Sequence, residues 1–193
     1  MKEVVVNINK VNLYSLPCII IGTPLFIIVY KYFHGTGLRE ILDSNPYLLM
    51  VLVLVIFGMV ILHELIHGVF FSLYAKRGTK SIKFGIMWSK FAPYCHCEDA
   101  ITAKQYRIVL LMPTLLLGIL PTLTGIVIGN FIIFFSGVML IWGGIGDIIA
   151  YRLTRKVPDS ALLVDHPKEV GFYYNENIIF SKILKYKQDE SIR

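Results

Sequence analysis

The chain has 193 residues, of which 55% are hydrophobic and 17% are charged, and its formal net charge is +6. A soluble domain of this length carries more charge and shorter apolar runs, so the composition excludes an ordinary soluble protein. We predict one integral membrane domain, residues 1–193, that contacts the lipid bilayer. The basic residues cluster outside the apolar runs, and this distribution does not indicate a nucleic-acid partner.

Four apolar runs are long enough to cross a bilayer core of about 30 Å at about 1.5 Å per residue. The predicted spans are residues 13–30, 47–75, 108–128 and 131–151. The first run contains Pro17, Gly22 and Pro24, and no small-x-small cleavage site follows it. It is therefore predicted to be a kinked, retained span rather than a signal peptide, with a loop at 35–46 after it.

The polar segment 76–104 separates the second span from the third. Within it Ile82, Phe84, Ile86 and Trp88 alternate with other residues, which is the periodicity of a strand, and Pro93 is expected to break that pattern. Asp99 or Thr102 is suited to cap a helix that leads into the third span. The predicted fold is therefore an all-α membrane protein with about four transmembrane helices. A short β-strand or hairpin lies in the cytoplasmic loop, and a polar tail covers residues 152–193.

The distribution of basic residues predicts the orientation. Four spans place the N-terminal segment, the 76–107 region and the tail on one side. They hold two, seven and eight basic residues, which is 17 of the 19 in the chain. Only Lys31 and Arg39 lie on the other side. The positive-inside rule then predicts a multi-pass protein, in the cell membrane, with both termini in the cytoplasm.

The second span carries the pattern His63-Glu64-Leu65-Ile66-His67. Residues four apart share one face of a helix, so the two imidazoles can bind one metal ion, with Glu64 beside it as a base for water. Ionisable residues in a membrane-length apolar run are costly to bury and usually mark function. The alternative is that each histidine is simply a packed, hydrogen-bonded residue.

A catalytic zinc normally takes three protein ligands, and Asp147 is the best remaining candidate. It lies near the inner end of the fourth span, at a depth similar to that of the histidines, among small residues that let helices approach closely. Alternatively, Asp147 pairs with Arg152 or a lysine of the tail at the membrane edge. His96 and Asp165-His166 are on the same side and are the fallback ligands, whereas His34 lies in the opposite loop.

The three cysteines, Cys18, Cys95 and Cys97, do not suggest a disulfide framework. Cys95-His96-Cys97 has residues of the ligand type, but a structural zinc site would want a second such pair, and alternate residues of a strand point to opposite faces.

The segments His63-Glu64-Leu65-Ile66-His67-Gly68, Gly146-Asp147 and Val164-Asp165-His166-Pro167 resemble a family of zincin membrane peptidases. That family is similar in its core to the site-2 proteases, which cut transmembrane segments of other proteins. The resemblance runs from the second span to about Tyr174. It implies that His63 and His67 bind zinc, that Glu64 is the catalytic base and that Asp147 is the third ligand.

The motif and this resemblance together predict a membrane-embedded zinc metalloprotease. It is expected to hydrolyse peptide bonds of membrane protein substrates with zinc-activated water and with Glu64 as the general base. A transmembrane substrate helix must unwind before cleavage, and the Ile82–Trp88 strand either pairs with the unwound segment or lies on the membrane surface. One rival is a zinc-binding transporter, but the apolar runs of the first and third spans offer no ionisable residue to line a path. A second rival is a non-catalytic membrane adaptor, which intact Glu64 disfavours.

Overall fold

Most of the described chain is helical. The computed structural model describes residues 2–88, 92–167 and 169–174. Three of its helical segments are long and apolar enough to cross a membrane, and a bent pair of helices makes a fourth if the pair acts as one span. The helices are α1 (Ile8–Pro17), α2 (Thr23–His34), α3 (Leu38–Ser44), α4 (Leu48–Tyr74), α5 (Ala103–Pro113), α6 (Leu120–Ile128), α7 (Phe131–Gly143) and α8 (Ile145–Thr154).

The first apolar segment is α1 and α2 joined by a π-helical turn. Pro17 and Pro24 flank that turn, and because proline lacks an amide hydrogen, regular i to i−4 bonding is interrupted there. The continuous segment runs over Asn9–His34, longer than the predicted 13–30. Helix α3 occupies part of the region predicted as a loop.

Helix α4 is the long helix that carries the motif. Its 27 residues span about 40 Å and match the predicted 47–75 closely. Large apolar side chains such as Leu54, Phe57 and Ile61 are exposed on one side, whereas His63 and His67 are buried on the other. A helix that points apolar residues outward and polar residues inward is typical of a lipid-facing bundle.

Helices α5 and α6 form the third segment, again through a π-helical turn next to a proline, Pro113. The segment begins at Ala103, earlier than the predicted residue 108, because Thr102 caps it. The Thr102 hydroxyl accepts from the Gln105 amide, and the Gln105 side chain accepts from the Thr102 amide, which is a capping box. Of the two predicted caps, Thr102 is therefore the one used.

Helices α7 and α8 meet at a bend of 43°, where a single span over 131–151 was predicted. Gly144 lies at the bend, and a Cβ there would overlap the side chain of Thr114. Only glycine permits this close approach between the bend and the third segment. The bend starts a new helix, and Asp147 lies in the first turn of α8.

Two antiparallel sheets complete the described chain. The strands are β1 (Lys2–Val6), β2 (Ile82–Met87), β3 (Ala92–Cys97), β4 (Ile101–Thr102), β5 (Leu162–Asp165) and β6 (Val170–Tyr174). Strands β2 and β3 form a hairpin in which Phe84 lies opposite Cys95. The other sheet has the order β1-β6-β5-β4 and joins the N-terminal segment to the beginning of the tail.

The sheets correct two expectations. An all-α bundle with one short strand or hairpin was incomplete, because the four-stranded sheet is a second β unit. Pro93 was expected to end the strand pattern, but it lies inside β3. In a two-stranded sheet each strand has one free edge, where the missing amide hydrogen of a proline breaks no ladder bond. The apolar patch of the tail at 177–180 lies outside the described residues.

Two buried clusters hold the helices together. The first includes Phe71 of α4, Tyr106 and Val109 of α5, Leu163 of β5 and Phe172 of β6. The second cluster lies towards the other end of α4 and contains Tyr30, Leu48, Leu52, Phe131, Phe134 and Val138. The motif histidines lie on the stretch of α4 between these two clusters.

Candidate metal centre

The two motif histidines lie one helical turn apart on the buried face of α4. Both are buried, and their ring centroids are 4.9 Å apart. The 3.6-residue period of the helix dictates this pairing, because residues i and i+4 stack on one face. The geometry expected from the motif is therefore present.

Asp147 contacts both histidines. Its Oδ2 lies 3.0 Å from His63 Nε2, and its Oδ1 lies 3.3 Å from His67 Nε2. The carboxylate therefore joins α8 to α4 and faces the histidines, while Arg152, the alternative partner, has an exposed side chain. One donor atom from each of the three residues lies within 4.8 Å of the others.

These three residues fit a zinc ion. Two imidazole nitrogens and one carboxylate oxygen are a common ligand set for catalytic zinc. Donor atoms each about 2.1 Å from a tetrahedral ion lie roughly 3.4 Å apart, close to the contacts that Asp147 makes. His67 Nδ1 lies 3.1 Å from the Val109 carbonyl oxygen, so Nδ1 donates there and Nε2 keeps its lone pair for a ligand. His63 Nδ1 is buried and makes no hydrogen bond within the described residues.

Glu64 lies at the edge of an open cavity beside the histidines. The cavity has a volume of about 200 Å³ and is lined by Glu64, His67 and Asp147 together with apolar side chains such as Leu110. Cys95, on β3, lines the same cavity as the Glu64 carboxylate. Strand β3 thus borders the same space as the carboxylate that the sequence assigned as the base.

The fallback ligands lie on the cavity wall but outside the group of three. His96 Nδ1 lies 3.0 Å from Asp165 Oδ2. His166 Nδ1 accepts from the Glu169 amide at 2.7 Å, and its Nε2 lies 3.1 Å from Glu3 Oε1. Among the described residues, only the group of His63, His67 and Asp147 meets the spacing of a metal site.

Tyr106 is the functional candidate that the sequence did not reveal. Its hydroxyl donates to Asp165 Oδ1 at 2.6 Å, and the residue lines the cavity. A tyrosine at the start of an apolar segment reads as an ordinary anchor at the membrane interface, so no sequence signal distinguished it. His34 lies far from this cavity, with Nε2 at 2.8 Å from the Ile126 carbonyl oxygen.

The cysteines near the cavity are poorly suited to bind metal. Burial raises the pKa of the Cys95 thiol, and the negative charges of Glu64 and Asp165 raise it further. Burial also raises the pKa of Cys97. The thiolate is the form that binds metals, so thiols that stay protonated at neutral pH are weak ligands.

A protein-family model described as "Putative zincin peptidase" matches residues 56–162, which include both motif histidines, Glu64 and Asp147. No curated protein and no solved structure gives a significant match to the chain.

Proposed function

This chain belongs to the putative zincin peptidase family, and we propose that it is a membrane-embedded zinc metalloprotease of the site-2 protease type. In this proposal His63, His67 and Asp147 bind zinc, Glu64 is the general base, and the substrates are membrane proteins. The observation that carries the proposal is the contact of one carboxylate, Asp147, with both motif histidines at the edge of a cavity that also contains Glu64. A structural role for the histidines alone would not require that carboxylate.

Zinc, when bound, supplies Lewis-acid chemistry that polarises a peptide carbonyl and activates a water molecule. Glu64 takes one proton from the attacking water and later delivers it to the leaving amine nitrogen. The peptide C–N bond breaks, and the products are a carboxylic acid and an amine. The hydrogen bond from His67 to the Val109 carbonyl holds the imidazole in one orientation throughout.

The β2–β3 hairpin is a candidate surface for the substrate. It lies against α4, where the Phe84 ring approaches Gly68, and Tyr94, Cys95 and His96 of β3 line the cavity. A transmembrane helix satisfies its backbone internally, so a substrate segment must unwind before cleavage. In this proposal the unwound segment adds to the hairpin edge as an extra strand, which presents one peptide bond to Glu64.

The proposed location is the cell membrane, with four spans and both termini in the cytoplasm. Support comes from the apolar helices and from the basic residues, 17 of 19 of which lie in the segments that this topology assigns to one side. The strands β1, β2–β4 and β5–β6 belong to those same segments. The candidate centre would then open towards the cytoplasm.

The decisive experiment compares the wild type with Glu64→Gln, both purified in detergent and tested for zinc content and for cleavage of membrane protein substrates. We expect about one zinc per chain in both proteins and proteolysis in the wild type alone, because the substitution removes the base but no ligand. Loss of a general base typically costs about 10²–10⁴-fold in rate.

The same comparison separates the rival functions. Equal turnover by Glu64→Gln would contradict the assigned base. Zinc bound with no turnover in either protein would support the adaptor, and zinc flux into vesicles without cleavage would support the transporter.

A further inference from the structure

A second cluster of polar side chains lies on the wall of the cavity, outside the candidate metal ligands. It contains His96 of β3, Asp165 of β5 and Tyr106 of α5. His96 Nδ1 lies 3.0 Å from Asp165 Oδ2, and the Tyr106 hydroxyl donates to Asp165 Oδ1 at 2.6 Å. Both oxygens of Asp165 are therefore engaged, and the imidazole of His96 is fixed from one side.

The free nitrogen of His96 distinguishes it from the neighbouring His166. Both nitrogens of His166 have partners, the Glu169 amide and the Glu3 carboxylate. In the described part of the chain, His96 Nδ1 is bonded to Asp165 and no hydrogen bond involves Nε2. A histidine held through Nδ1 by a carboxylate presents Nε2 in a fixed direction, which is the arrangement that positions catalytic imidazoles in other hydrolases.

His96 also directly follows Cys95 in the chain, and Cys95 lines the cavity together with Glu64. His96, Glu64 and Asp147 line the same cavity. A peptide carbonyl placed in this cavity between Glu64 and the metal ligands would therefore have His96 beside it, on the wall that β3 forms.

We propose that His96 is a further catalytic residue, whose Nε2 donates a hydrogen bond to the scissile carbonyl oxygen as that oxygen becomes an oxyanion. The inference rests on the proposed protease function and names a role within it. When water adds to the carbonyl, Glu64 takes its proton and negative charge develops on the carbonyl oxygen. His96 keeps its proton and stabilises this charge by hydrogen bonding, and the oxygen returns to a carbonyl when the C–N bond breaks.

Asp165 and Tyr106 are positioning residues in this proposal. The role requires a ring that carries a proton on each nitrogen, so that Nδ1 donates to Asp165 while Nε2 donates to the oxyanion. Tyr106 fixes Asp165 through the second oxygen. Because the Tyr106 hydroxyl and both Asp165 oxygens are already engaged in hydrogen bonds, each residue acts through His96 in this proposal.

The test uses the full-length protein loaded with zinc in detergent. The probes are a fluorescence-quenched apolar peptide, selected from a library by wild-type cleavage, and the phosphinic analogue of the same peptide, which mimics the tetrahedral oxyanion. We expect His96→Ala to lower kcat by about 10²–10³-fold, as for loss of one oxyanion donor, with KM within about 3-fold. In the Glu64→Gln background, adding His96→Ala is expected to weaken binding of the phosphinic peptide about 100-fold. The affinity for the substrate peptide is expected to stay unchanged.

Matched variants exclude a structural explanation. His34→Ala is expected to keep near wild-type kcat, because that histidine lies outside the cavity, with its Nε2 against the Ile126 carbonyl oxygen. His96→Gln keeps a donor of similar reach and is expected to recover part of kcat, which also covers the case in which His96→Ala fails to fold. Tyr106→Phe is expected to lower kcat less than His96→Ala does. The double variant is expected to have the same kcat as His96→Ala alone, because the effect of Tyr106 passes through His96.

Two results would overturn the inference in different ways. Unchanged kcat and unchanged phosphinic affinity in His96→Ala and His96→Gln, with normal wild-type turnover, would reject the role of His96 and leave the protease function standing. If the wild type shows no turnover that depends on Glu64, the protease function is rejected, and the role of His96 is rejected with it. Loss of zinc in folded His96→Ala would also reject the proposed oxyanion role, because His96 would then be a metal ligand.

Discussion

At the scale of single residues, Asp147 is the side chain that connects two helices at the candidate metal centre. It lies in the first turn of α8, and its two oxygens face one histidine each. A buried carboxylate between two imidazoles is either a structural partner that links the two helices or a metal ligand beside the rings. The two roles predict different consequences of removing the charge.

We expect Asp147→Asn to weaken zinc binding by more than about 100-fold, beyond the 10–100-fold loss typical of groups that only support a ligand. The physical reason is that a neutral amide oxygen is a poorer ligand than a carboxylate. Zinc stoichiometry of folded protein, measured after dialysis against a weak chelator, reports the change.

Arg152→Ala, His96→Ala and His166→Ala serve as controls in the same assay, and each is expected to keep its zinc. Normal zinc in Asp147→Asn together with loss in a histidine variant would move the third ligand from α8 to the strands.

At the scale of elements, the close contact of α6 with α7 sets where the bent segment carrying Asp147 lies. A Cβ on Gly125 of α6 would overlap the backbone nitrogen and Cα of Phe134 on α7. Small residues at such crossings let helix backbones touch, and larger ones force the helices apart. Gly58 of α4 is the opposite case, because open space surrounds its Cα.

We therefore expect Gly125→Ala to destabilise the protein by about 1–3 kcal/mol, the usual cost of overpacking. Gly58→Ala is expected to be neutral or slightly stabilising, since alanine favours a helix by about 0.5–1 kcal/mol over glycine. Unfolding of both variants in detergent, followed by circular dichroism, checks the difference. Equal stability of the two variants would contradict the close packing of α6 against α7.

At the scale of the whole molecule, the four apolar segments predict a topology that can be tested without any assumption about chemistry. In a version without Cys18, Cys95 and Cys97, single cysteines at Thr36, Lys80 and Arg155 occupy exposed positions. We expect the cysteine at Thr36 to react with an impermeant reagent in intact cells, and the other two only after permeabilisation. Labelling of position 80 from outside would show that the number of spans or the orientation is wrong.

The sequence by itself determined the parts of this protein that depend on local pattern. Apolar runs predicted the approximate place of the four long apolar helical segments, because a run of that length and composition favours helical hydrogen bonding within itself. Four-residue spacing placed His63 and His67 on one face of α4, because the helix period is fixed. Alternation at Ile82–Trp88 predicted a strand, and Thr102 was one of two predicted caps.

Only the tertiary structure decided which distant residues meet. The bend at Gly144 lies where Thr114 of another segment approaches closely, and no pattern within 131–151 predicted that contact. The sheet β1-β6-β5-β4 pairs the two ends of the described chain, and pairing over such separations depends on how the whole chain packs. The contact of Asp147 with both histidines, and that of Tyr106 and His96 with Asp165, follow from this packing. The depth of Asp147 in its apolar run made it the best candidate ligand, but depth alone did not decide between the histidines and Arg152 as its partner, because side chains on separate elements meet only when the elements do.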